Sequence, residues 1–126
     1  MEIDTSYLEK ALNSLNEVLE LEETPIIRDS AIQRFEYTYE LAIKLLKRKL
    51  EEMASSAEEI DHMGFKDIIR TGAEKGLIDK PEAWFEFREK RNITSHTYDE
   101  KKAEEVYDIL KDFSDKVGFL LSKLDG

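Results

Sequence analysis

The sequence predicts an all-α fold: an antiparallel up-down bundle of four main helices plus a short one, in a single domain over residues 1–126. Two observations carry this. Apolar residues recur at three- and four-residue spacings along most of the chain, the signature of helices that each bury one stripe. Only two prolines, Pro25 and Pro81, and five glycines interrupt 126 residues, which suits a few long helices better than many short strands.

Composition narrows the function classes. At 40% hydrophobic the chain can fill one core, and at 38% charged it carries a well-solvated surface. The absence of cysteine rules out disulfides and thiolate zinc sites and fits a reducing cytoplasm, the expected location. Met1-Glu2-Ile3-Asp4 lacks the basic region and apolar run of a signal peptide, and no apolar run approaches the roughly 18 residues of a membrane span. A formal net charge of −10 repels nucleic acid over most of the surface, so any RNA-directed activity needs a local cationic site.

The first helix is expected from about Thr5 to Glu23, with Leu8, Ala11, Leu12, Leu15, Val18 and Leu19 as its buried stripe. Pro25 ends it, and Ile26 and Ile27 return to the core. The second and longest helix runs from about Ile27 to Met53 on Ala31, Phe35, Ala42, Leu45 and Leu46, with Arg34 inside the stripe. Glu40 and Lys44 form an i,i+4 pair on its wet side. Phe35, Tyr37 and Tyr39 alternate and so diverge around a helix, which favours core packing over a cofactor box. Ala54 to Glu59 reads as a linker or a helix start, with Ser55 or Ser56 available as its cap, and a short third helix follows, Phe65 to Lys75, closed by Gly76. His62, just before it, has no partner at ligand spacing and reads as a surface residue.

The fourth helix opens at Asp79-Lys80-Pro81-Glu82, where Asp79 can cap and Glu82 completes a capping box. Asp99 caps the fifth, whose stripe is Ala103, Val106, Tyr107, Leu110, Phe113, Val117, Leu120, Leu121 and Leu124. The fourth helix breaks the amphipathic rule. On a helical wheel one side gathers Trp84, Phe85, Phe87, Arg88, Arg91, Asn92, Ser95 and His96, aromatic in its first half and polar in its second. Burying an unpaired guanidinium costs several kcal/mol, so Arg88 and Arg91 must find partners or line a wet cleft.

These groups permit one kind of chemistry. An imidazole can pass protons, and a guanidinium can hold a phosphate and stabilise charge developing on it. Together they suffice to drive an RNA 2′-hydroxyl onto its neighbouring phosphate without a metal. No carboxylate–histidine cluster, glycine-rich phosphate loop or nucleophilic serine or cysteine motif points to a metal, a cofactor or another reaction. By spacing alone the pattern also fits a structural role, with Arg88 and Arg91 paired to acidic residues and His96 capping a helix. Arg91 and His96 lie about 140° apart on a straight helix, so they converge only if the helix frays near Ser95 or a second copy completes the site.

Arg91, four intervening residues and His96, with Asn92 directly after the arginine, resemble the signature of the HEPN superfamily. The extension to Thr97-Tyr98 is similar to the longer motif, arginine-x4-histidine-x-tyrosine, of HepT toxins. Arg91 to Glu100, with Arg28-Asp29-Ser30, Arg34-Phe35-Glu36 and Tyr39-Glu40-Leu41-Ala42, resembles the branch called nucleotidyltransferase substrate-binding proteins. The resemblance implies an all-helical homodimer, like the substrate-binding domain of nucleotidyltransferases, with its two motifs meeting in a cleft. It implies a minimal nucleotidyltransferase as partner, metal-free RNA cleavage, and silencing by AMP transfer to the motif tyrosine. Carried over, Arg91 binds phosphate, His96 transfers protons, Tyr98 accepts AMP and Asn92 orients the site. Arg88 and Ser95, placed by the wheel, are added as substrate contacts. The alternative is a non-catalytic subunit that presents a nucleotide or other substrate.

Overall fold

The computed structural model describes residues 3–124; Met1 and Glu2, half of the stretch read for a signal peptide, lie outside the described residues. Its elements are α1 (Ser6–Leu19), α2 (Pro25–Met53), α3 (Ala57–Asp61), α4 (Phe65–Glu74), α5 (Pro81–Asn92), a 3₁₀ turn (Thr94–His96), α6 (Glu100–Asp108) and α7 (Leu110–Leu124). Among the described residues there is no strand, and no helix is long and apolar enough to cross a membrane. The all-helical bundle is therefore as expected, but its segmentation differs in several places.

α1 stops at Leu19, short of Glu23. Pro25 then begins α2 instead of ending α1: Thr24 is extended and its side chain accepts from the Ile27 amide at 3.1 Å, leaving Pro25 at the first helical position, where its missing N–H costs nothing. Ile26 consequently points outward and is 80% exposed, not returned to the core. Of the two readings of residues 54–59, the helix start holds: Ser56 caps the short α3 by accepting from Glu58 N at 3.2 Å. Lys80, not Asp79, occupies the cap position of α5, with no side-chain cap bond, so the expected capping box does not form. The last expected helix is divided at Ile109, whose amide reaches back only three residues to Val106 O at 3.3 Å. The apolar stripe nonetheless continues across the division, with Ala103, Val106, Leu110, Phe113, Val117, Leu120 and Leu124 all buried.

Two further caps match the sequence reading. Asp99 Oδ1 accepts from Lys101 N at 3.0 Å and Lys102 N at 3.4 Å, opening α6. Gly76, at φ 78°, closes α4: its N–H bonds to Ala73 O at 3.1 Å and that of Leu77 to Gly72 O at 2.9 Å, the paired bonds of a Schellman motif.

The core converges on Phe113 of α7. Its ring meets Phe35 of α2 edge-on at 4.8 Å, and Phe87 and Trp84 of α5 at 5.1 Å and 6.2 Å. All four side chains are fully buried. Phe35 and Tyr39 thus pack inward while Tyr37, 41% exposed, faces out to Ser14 Oγ at 2.7 Å, as a helix requires of alternating residues. Truncating the shared ring should be costly: Phe113→Ala is expected to lower stability by about 3–5 kcal/mol, measured as a fall in the denaturant midpoint at unchanged slope.

Candidate functional site

α5 ends because Thr94 competes for its backbone. Thr94, 6% exposed, donates from Oγ1 to the Arg91 carbonyl at 2.8 Å, replacing a helical bond with a local one. Ile93 leaves the helical region at φ −96°, ψ 1°, and Thr94–His96 form a single 3₁₀ turn. His96 N bonds to Ile93 O at 2.9 Å and Thr97 Oγ1 to Thr94 O at 3.0 Å, so the turn is internally hydrogen-bonded. The histidine accordingly stands beyond the helix and not on it.

Arg91 is held from three sides. Nη2 donates to Glu40 Oε1 at 2.6 Å, Nη1 to Thr94 Oγ1 at 3.1 Å, and Glu36 Oε2 lies 3.9 Å from Nη1. Its Nε is buried without a partner, while the side chain as a whole remains 30% exposed. Glu40 therefore serves Arg91 across the helix pair and makes no pair with Lys44 among the described residues. Glu36 and Glu40 are the site residues that spacing missed. Both lie one position past a buried residue of α2, Phe35 and Tyr39, the only hint of their placement at its core-facing edge.

His96 and Tyr98 are brought together. Tyr98 Oη is 3.5 Å from His96 Nδ1, at the outer limit of a hydrogen bond, with ring centroids 6.1 Å apart and steeply inclined. Both are exposed, Tyr98 at 86%. Arg91 makes no hydrogen bond to His96, so one chain does not unite the two ends of the motif. Asn92 and Ser95 are exposed and make no side-chain hydrogen bond among the described residues. Arg88 is exposed and rests on the Phe65 ring, its guanidinium carbon 4.4 Å from the ring centre.

Arg28 is a further residue that the sequence reading left without a role. It is 8% exposed and reaches Glu23 at 3.4 Å, Glu100 at 3.8 Å and Glu104 at 4.0 Å, tying the start of α2 to the start of α6 directly after the motif. No group of three or more histidine, aspartate or glutamate side chains among the described residues is placed to hold a metal ion.

Tyr39, behind Arg91, is 8% exposed; burial pushes its phenol up to about 12, against the pull of Arg88 and Arg91. Because the neutral form is favoured in the fold, this contribution to stability is present below pH about 10 and is lost as pH rises towards about 12. A spectrophotometric titration of the five tyrosines should contain a late step near pH 12 that disappears in Tyr39→Phe.

Comparison with known proteins bears on this arrangement. The family described as nucleotidyltransferase substrate binding protein like matches residues 3–126. A Haemophilus influenzae protein named probable ribonuclease HepT is 47% identical over 94 residues, which are 75% of this chain; the chain spans 64% of that relative's length. A solved structure from Haemophilus influenzae, described as the fold of a substrate-binding domain of a nucleotidyltransferase, superposes with a TM-score of 0.91 at 36% identity, over 98% of this chain and 100% of that one. A crystal structure from Thermus thermophilus superposes with a TM-score of 0.82 at 34% identity, over 94% of this chain and 99% of that one.

Proposed function

The chain belongs to the nucleotidyltransferase substrate binding protein like family, and on that premise we propose that it is the helical partner of a minimal nucleotidyltransferase in a two-gene toxin–antitoxin module. In this reading it is a metal-independent endoribonuclease whose motif is Arg91, His96 and Tyr98. One observation supports it above the others: past the oriented Arg91, a hydrogen-bonded turn offers His96 and Tyr98 to solvent as a pair 3.5 Å apart.

In the proposed reaction a ring nitrogen of His96 takes the proton of a ribose 2′-hydroxyl. The 2′-oxygen bonds to the adjacent phosphorus, and the bond to the 5′-oxygen breaks. The leaving 5′-oxygen takes a proton from water, and His96 returns its own to solvent, giving a 2′,3′-cyclic phosphate and a 5′-hydroxyl. Arg91 supports the charge on the phosphoryl oxygens, exchanging Glu40 for phosphate. Since Arg91 and His96 do not touch within one chain, the proposal includes a homodimer in which each motif completes the other, with Asn92 and Ser95 as exposed contacts for the strand.

The proposal assigns silencing to Tyr98. Its phenol oxygen attacks the α-phosphorus of ATP on the partner enzyme, pyrophosphate leaves, and the resulting AMP ester sits against His96, where it excludes RNA. The partnership rests on the family and on the solved relative described as a nucleotidyltransferase's substrate-binding domain.

A second reading, a non-catalytic subunit that binds a nucleotide or other substrate for the partner enzyme, is favoured by the carboxylates that already occupy Arg91. Cleavage of a structured RNA in EDTA by the protein expressed alone separates the two. The parent is expected to cut and His96→Ala to lose at least about a hundredfold in rate, the scale of a lost general base. Equal activity in the mutant would remove the nuclease assignment, and no cleavage by the parent with Tyr98 unmodified by intact mass would favour the binding subunit. Tyr98→Phe should abolish AMP transfer by the partner, read as a missing mass increment.

A further inference from the structure

Beside the motif, α4 and α5 enclose a cavity of about 350 Å³ lined by Phe65, Lys66, Phe85, Arg88, Glu89 and Asn92. Its floor is aromatic: Phe65 and Phe85 meet edge-on with ring centroids 6.2 Å apart, and both rings are partly exposed. Of its lining cations Arg88 rests 4.4 Å from the centre of Phe65, and just outside the lining Arg70 lies 5.9 Å from the centre of Phe85. Neither arginine forms an ion pair among the described residues, in contrast to Arg28 and Arg91, which are held by carboxylates. Lys66 adds a third exposed cation and Glu89 one opposing charge, so the groove is locally positive on a chain of net charge −10. Asn92 lines the groove one helical turn beyond Arg88 and directly after Arg91, so the groove and the motif share one helix.

We propose that this groove is a single-stranded RNA subsite, which holds a nucleotide flanking the one at Arg91 and His96. The flanking base stacks on Phe85 and the free face of the Arg88 guanidinium, while Lys66 and Arg70 meet the backbone phosphate. Aromatic faces interleaved with cations are what a strand needs for sequence-tolerant binding: every base has a face to stack, and every phosphate a charge to neutralise. Held on Phe65, Arg88 keeps a fixed plane instead of sweeping through solvent, so less order has to be imposed when a base arrives. The inference rests on reading the motif as an RNA site and extends it to residues of α4 that lie outside that motif.

Anisotropy titrations test it, using the full chain with His96→Ala so that RNA is not consumed, a labelled single strand of about ten nucleotides, and an abasic strand of the same length. Phe65→Leu, Phe85→Leu and Arg88→Gln should each weaken the RNA about tenfold and leave the abasic strand much less affected. Lys66→Gln and Arg70→Gln should weaken both strands alike and lower the salt slope by about one. Arg88→Gln keeps the test valid if a leucine variant melts early, because Arg88 is exposed. Undiminished RNA binding by Phe65→Leu, Phe85→Leu and Arg88→Gln beside an RNA-cleaving parent would overturn the groove and leave the nuclease intact. Groove-dependent binding by a parent that cuts nothing would uphold the groove and remove the nuclease. Absence of RNA binding, or displacement of the strand by AMP at equal affinity, would overturn the strand assignment.

Discussion

Phe113 is the node on which the architecture and the site both depend. By meeting Phe35, Phe87 and Trp84 edge-on it fixes three helices against one another and, with them, the rotation of α5 about its own axis. Once Trp84 and Phe87 point inward, helical geometry decides the rest: Arg91, four residues after Phe87, emerges on the same side at the rim of the core. On α2 the inward Phe35 and Tyr39 are each followed by a glutamate, so Glu36 and Glu40 arrive at the same rim. The ion pair is a consequence of the aromatic packing.

The strength of that pair matters for what Arg91 can do. Glu40 is 63% exposed and Arg91 30%, so their attraction is screened by water and contributes on the order of 0–1 kcal/mol despite its 2.6 Å length. A pair that weak orients the guanidinium without committing it. Thr94 holds Arg91 Nη1 and the Arg91 carbonyl at once, so the side chain stays aimed as the helix ends beneath it. In the proposed reaction an incoming phosphate has only to displace an exposed carboxylate from an arginine already in place, which lowers the ordering cost of binding.

The fold was legible wherever burial was periodic. The stripes of α1, α2 and the α6–α7 segment are the cores of those helices, and the Asp99 and Gly76 caps sit where their chemistry requires. Spacing failed where two local signals competed. Pro25 suits the end of one helix and the first turn of the next, and Thr24 decided for the latter by capping. Asp79 lost its capping role because the helix begins one residue later, behind Lys80. The site was legible in its residues but not in its pairings: Glu40 has a plausible neighbour in Lys44 on its own helix, and only the tertiary packing reveals that Arg91 takes it. The end of α5 turns on Thr94, a β-branched residue whose hydroxyl can serve or break a helix, and no helical wheel can tell which.

The distribution of paired and unpaired cations ties these features together. On a chain with 19 cationic and 29 acidic side chains, repulsion keeps anionic strands off most of the surface, so specificity for such a ligand falls to the few places where positive charge is not already cancelled. Arg28 is cancelled three times over and acts as a bolt behind the motif. Arg91 is cancelled loosely and can be released. Arg88 and Arg70 rest on rings, whose quadrupoles position a cation without neutralising it. From α4 through α5 to the turn at His96, the guanidinium groups thus pass from aromatic support to carboxylate support as the proposed scissile phosphate is approached. That ordering suits a strand drawn in by free charge and stacking, and then held by an arginine that must give up one anion to accept another.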